Sequence, residues 1–96
     1  MDAETAIAAQ IEPRLVDILG QHVANTLLTR ATLCYVTTIG IELKRYAAFI
    51  HSICSDARLI QVWGSEGTRQ QEKDWLALLG PLSQVEESDL QEGENL

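Results

Sequence analysis

Four side chains in this sequence could ligate a soft metal or pair as nucleophile and base: His22, Cys34, His51 and Cys54. On a helix, His51 and Cys54 are one turn apart and would point the same way. A zinc site would need His22 and Cys34 to converge on them. The close Cys–Cys and His–His spacings that mark such sites are absent. A Cys–His nucleophile also needs an oriented third group and oxyanion donors, and no motif here supplies them. The expectation is therefore two buried thiols and a surface histidine, with no metal and no cofactor. Gly64-Ser65-Glu66-Gly67 has the glycines of a phosphate loop, but Glu66 would repel the anion, so it reads as a turn. Glu42, Glu66, Glu72 and Asp74 form no recognisable acid–base pair. These absences point to a protein that is not an enzyme.

Charge narrows the partners. The 96 residues hold 14 acids and 7 bases, a formal net charge of −7. Five of the acids lie between Ser83 and Leu96 with no base among them, which leaves residues 1–82 at about −2. Affinity for DNA or anionic lipid rests on clustered Lys and Arg. The Gly40 break followed by Lys44 and Arg45 resembles a helix-turn-helix only superficially, because Glu42 sits beside them. No nucleic-acid and no membrane partner is expected. The acidic start, Met1-Asp2-Ala3-Glu4, is unlike a secretory signal, and no apolar run is long enough to span a bilayer. A cytoplasmic, reducing setting follows, with both cysteines as thiols. Residues 83–96 carry few sizeable apolar groups and are expected to be a disordered acidic tail on a helical domain spanning 1–82.

The elements that would carry these groups read as helices. Ile7, Ile11, Leu15 and Ile18 share one face, interrupted by Pro13. A firm helix from Pro13 to Leu19, preceded by a looser Ala-rich arm and stopped by Gly20, is predicted. The second helix begins near Gln21 and runs to about Tyr35, with Val23, Leu27, Ala31 and Cys34 inward and Asn25, Thr26, Thr29 and Arg30 outward. Val36-Thr37-Thr38-Ile39 is β-branched and reads as a short strand or a loop. Ile41–Cys54 is the third helix. Ala57–Trp63 is a short helix or a strand, helix being favoured, after a cap at Ser55 or Asp56. Thr68 with Gln71 suggests a capping box opening a last helix to Leu79. The fold class expected is all-α: a small bundle of four helices, with a short fifth as the alternative.

The Ile41–Cys54 segment holds most of the functional interest. Leu43, Tyr46, Ala47, Ile50, Ile53 and Cys54 fall on one side, and Phe49 falls on the other between Arg45 and Ser52. A helix apolar on more than one side is central in its fold or part of an interface. With Phe49 outward as an aromatic anchor, the expected interface is Leu43, Arg45, Tyr46, Phe49, Ile50 and Ile53. A thin core favours self-association, so a homodimer is expected.

Ile18-Leu19-Gly20-Gln21-His22-Val23-Ala24, followed by Leu27-Leu28 and Arg30-Ala31, resembles the helical hallmark of a small domain appended to bacterial serine/threonine kinases and response regulators. There a Gly-Pro-apolar-Ala turn leads into a helix ending in Arg-Ala. Here Gln21 replaces the proline and one extra residue precedes Ala24. The resemblance covers about fifteen residues and implies an all-helical regulatory or docking module with no catalytic residues to carry over. Together these features predict a protein–protein interaction module. The alternative is a small acidic chaperone or inhibitor that masks a basic protein, using the tail and the Ala-rich arm.

Overall fold

The computed structural model describes residues 2–79, and these form an all-α bundle. The first rod comprises α1 (Ala3–Ala6), a π-helical turn (Ile7–Ile11) and α2 (Glu12–Leu19). The π turn accounts for Pro13. The Glu12 amide donates five residues back, to the Ile7 carbonyl, so the ladder is already widened where the proline ring arrives without a donor. The Ala-rich arm, expected to be loose, is docked. Ala3 and Ala6 are buried, and the Ala3 amide donates to Glu42 Oε2 at 3.0 Å. Asp2 accepts from the Thr5 amide at 2.8 Å, so two of the open amides at this helix start are satisfied.

Gly20 turns the chain into α3 (Gln21–Thr37). Its φ of 87° and ψ of 160° lie in a region essentially restricted to glycine. Val36 and Thr37, expected outside the helix, are its last turn. Three hydroxyls in this half of α3 turn back to their own backbone: Thr37 donates to the Leu33 carbonyl at 2.7 Å, Thr38 to that of Cys34 at 2.6 Å, and Thr32 to that of Leu28 at 2.8 Å. The Thr38 amide also donates to the Cys34 carbonyl, at 3.1 Å, so the last turn closes on its own backbone despite its β-branched residues.

The next helix, α4 (Glu42–Cys54), packs against α3 on one side, α5 on another and α1 on a third. The last, α5 (Ala57–Leu76), starts at Asp56 and bends sharply at Gly64, which has φ 79° and ψ 166°. Ala57–Trp63 is thus helical and no strand forms among the described residues. The helix resumes at once after Gly64, so the expected four-residue turn shrinks to one residue. Thr68 makes no capping box; it is buried and its hydroxyl donates to the Gly64 carbonyl at 2.7 Å, bracing the bend. The expected acidic tail, 83–96, lies outside the described residues, as does the Gly80-Pro81 stop.

Asp56 joins three segments. Its carboxylate accepts from the Arg58 amide at 2.8 Å, from Arg58 Nε and Nη2 at 3.1 Å each, and from Arg30 Nη1 of α3 at 3.4 Å. Hydrogen bonds from the Arg58 side chain, aided by its amide and the two cationic charges, hold this carboxyl below its ordinary range against the opposing effect of burial. A depressed carboxyl contributes its stability above the unfolded value near 4 and loses it as pH falls through the lower folded value. Denaturant midpoints should therefore fall on acidification below about pH 4. Asp56→Asn keeps a capping oxygen but no charge. It should cost about 1–2 kcal/mol at neutral pH and show a shallower acid limb, as urea titrations at several pH values would report.

Candidate functional site

Four of the six residues expected to form an interface lie in the core. Tyr46, Ile50 and Ile53 have no exposed surface and Phe49 is 2% exposed. Phe49 faces the Ala-rich arm: with Ala3 and Ile7 it lines the floor of a cleft between α1, α3 and α4. The small alanines let the arm approach closely enough to cover the ring. Tyr46 points inward and its hydroxyl donates to the Trp75 carbonyl at 2.6 Å, linking α4 to the end of α5. Leu43 is half-buried against the core. Arg45 is used within the chain: its guanidinium lies 4.6 Å from the Tyr35 ring centre and its Nε donates to the Tyr35 carbonyl at 3.2 Å. That bond caps the C-terminal end of α3, where a cation also suits the helix dipole.

Exposed large apolar side chains are concentrated instead on α3 and its connection to α4, with one more, Val62, on α5. Leu33 is 59% exposed, Val36 56%, Ile39 88% and Ile41 66%. These four lie within one nine-residue stretch, Leu33 and Val36 one turn apart on α3 and Ile39 and Ile41 in the connection that follows. Isolated exposed apolar residues are ordinary, whereas contiguous patches mark interaction sites. Ala24, Leu27 and Ala31 face the core, so the opposite side of α3 presents His22, Asn25, Thr26, Thr29, Leu33 and Val36. The side chains from His22 to Leu33 line a shallow hollow on this side. The Thr26 hydroxyl donates back to the His22 carbonyl at 3.2 Å. A hydroxyl bonded to its own helix leaves its methyl group available for contact. The side that reads as polar in sequence is thus partly apolar in structure.

Charge sets this face apart. Gln21–Thr37 contains no Asp or Glu, and Arg30 is its only fully charged residue. Arg30 is already paired with Asp56. The cleft on the other side of Tyr35 has the opposite character. It encloses about 360 Å³, its floor is Ile7 and Phe49, and Asp2, Glu4 and Glu42 stand around it.

The candidate chemical residues do not assemble. Among the described residues, no three His, Cys, Asp or Glu side chains gather as a metal site would require. His51 is exposed, with Nδ1 3.5 Å from Glu72 Oε2. Burial, with a smaller push from Glu72, raises the Cys54 thiol to about 12, the reverse of what activates a nucleophile. No described helix is long and apolar enough to cross a membrane. Set against known protein families, curated proteins and solved structures, the chain matches none of them.

Proposed function

We propose that this chain is a non-catalytic protein–protein interaction module that docks through the outer side of α3 and the α3–α4 connection. The observation that carries this reading is the stretch bearing Leu33, Val36, Ile39 and Ile41, four large apolar side chains each more than half exposed. Keeping such side chains in water is unfavourable, and covering them supplies the driving force for association. The resemblance of residues 18–31 to a kinase-appended regulatory domain points the same way. A reducing, cytoplasmic setting suits its two free thiols.

The second reading, an acidic module that masks a basic partner, is favoured by one observation: the cleft ringed by Asp2, Glu4 and Glu42. Salt separates the two readings. Docking on carboxylates weakens steeply as ionic strength rises, while apolar docking does not.

The test is a photo-reactive side chain placed at Ile39 in cells that make the protein, with Gln61 of α5, also exposed, as the control position. The expected result is a discrete adduct with one protein species at Ile39, absent at Gln61 and retained in high salt. Equal, diffuse labelling at both positions would refute the reading. An adduct lost in high salt, and obtained from Glu4 as well, would transfer support to the acidic cleft.

A further inference from the structure

We propose that α5 is a hinge: it straightens at Gly64 and exchanges residues 65–79 with a second copy of this chain. The proposal goes beyond the docking reading and does not rest on the α3 face. Residues 65–79 run back along α4, and three contacts fix their seat. Thr68 and Arg69 border a small hollow at Cys54, Glu72 Oε2 lies 3.5 Å from His51 Nδ1, and the Trp75 carbonyl accepts from the Tyr46 hydroxyl at 2.6 Å. Thr68 and Trp75 are buried there. Between Ala57 and Leu76 only Gly64 departs from helical dihedrals. If that one residue turns helical, α5 becomes a continuous rod and residues 65–79 leave their own α4. The vacated seat is shaped for this segment, so the occupant that fits it is the same segment of another copy. Each of these contacts is then remade between two chains, and a two-fold axis remakes it twice.

Two glycines set the balance between the bent form and the rod. At Gly64, φ 79° and ψ 166° are open to glycine and strained for an L side chain. Gly67 lets the bend close: a Cβ there would stand 3.3 Å from Trp63 Cβ. In a straight helix the same two positions lie one turn apart, with Cβ atoms about 5–6 Å from each other. A side chain at Gly67 therefore crowds the bend and leaves the rod untouched. Glycine also weakens a straight helix, which holds the wild type on the bent side when dilute. High protein concentration shifts the balance, because a second copy buries again what the rod exposes. Val62, 54% exposed, lies two residues before the hinge, where the two rods pass each other. The charge of −7 on each copy opposes the pairing, so added salt should raise the dimer fraction.

The test refolds four chains from urea at micromolar and at millimolar protein. Gel filtration with light scattering reads size, and circular dichroism is the folding check. The chains are the wild type, Gly67→Ala, Gly64→Ala/Gly67→Ala, and a chain joined at Cys54 in which D-alanine replaces Gly64. D-alanine favours positive φ and penalises a right-handed helix, so it holds the bend. After concentrated refolding the dimer fraction should rise in the order D-alanine chain, wild type, Gly67→Ala, double variant. Each alanine should raise the ratio of dimer to monomer about tenfold. The dimers should arise only through refolding, persist on dilution because separation requires unfolding, and keep the native tryptophan spectrum with Trp75 seated in the other copy. A wild type wholly monomeric after millimolar refolding would overturn the proposal. So would a Gly67→Ala chain with no more dimer than the wild type, or a D-alanine chain with as much dimer as Gly67→Ala. A dimer that assembles from native monomers and separates at once on dilution would be surface association and would also overturn it. If the double variant fails to fold, the order of the other three decides. The cross-link at Ile39 is independent of these results, so the docking reading stands or falls separately.

Discussion

Replacing Phe49 by alanine should cost about 3–5 kcal/mol, the range for emptying a buried aromatic site. The ring is 2% exposed and lies where the Ala-rich arm crosses α4. Methyl-sized neighbours such as Ala3 and Ala6 cannot extend to refill the space, so little of the cavity collapses. A domain of this size has a total stability on the order of 5–10 kcal/mol. The variant should therefore melt tens of degrees lower, or be unfolded at room temperature, since each kcal/mol moves the midpoint by about 4–8 °C. Loss of the arm alone would appear as protease sensitivity confined to residues 2–11, with the helices from α2 onward intact. A thermal scan with unchanged midpoint would refute the placement of this ring in the core.

Gly64→Ala should cost about 1–3 kcal/mol through the backbone alone. Nothing stands within 4 Å of the added methyl, so no clash contributes. The penalty comes from forcing an L-residue to φ 79° and ψ 166°. A straightened α5 would escape the penalty, but it would swing Trp75 and Leu79 out of the core and break the hydrogen bond from Tyr46 to the Trp75 carbonyl. The two tryptophans lie on either side of the bend with ring centres 5.8 Å apart. Their fluorescence distinguishes the outcomes: a bent but destabilised chain keeps the native spectrum until it melts, and a straightened one shifts to the red in native buffer. A midpoint equal to that of the wild type would show that the strain is not there.

The helices were legible because apolar spacing repeats with the helical period, and Leu27, Ile50 and Ile53 are buried as that spacing requires. Phe49 was misplaced for a definite reason. A helical wheel divides a helix into inside and outside, whereas α4 has neighbours on three sides, and the number of neighbours is a tertiary property. The Ala-rich arm was undervalued because alanine contributes little apolar area; its advantage is close approach, which becomes visible only once a partner helix is present. The proposed docking face was hidden by Thr26 and Thr29, polar by residue type. Hydroxyls such as those of Thr26 and Thr32 turn back to their own helix, a direction that residue type does not encode. Val36 and Thr37 were read out of the helix on propensity, a weak preference that tertiary context overrides, here with Arg45 of α4 bonded to the Tyr35 carbonyl at this helix end.

The sealing of Cys54 has a consequence for how the chain meets oxidants. Thiolate, not thiol, attacks peroxides and mixed disulfides, and a sulfur held to about pH 12 is almost wholly protonated under physiological conditions. While folded, the chain presents only the half-buried Cys34 to such reagents. The folded chain therefore offers oxidants one accessible sulfur, Cys34, and holds Cys54 as the less reactive thiol.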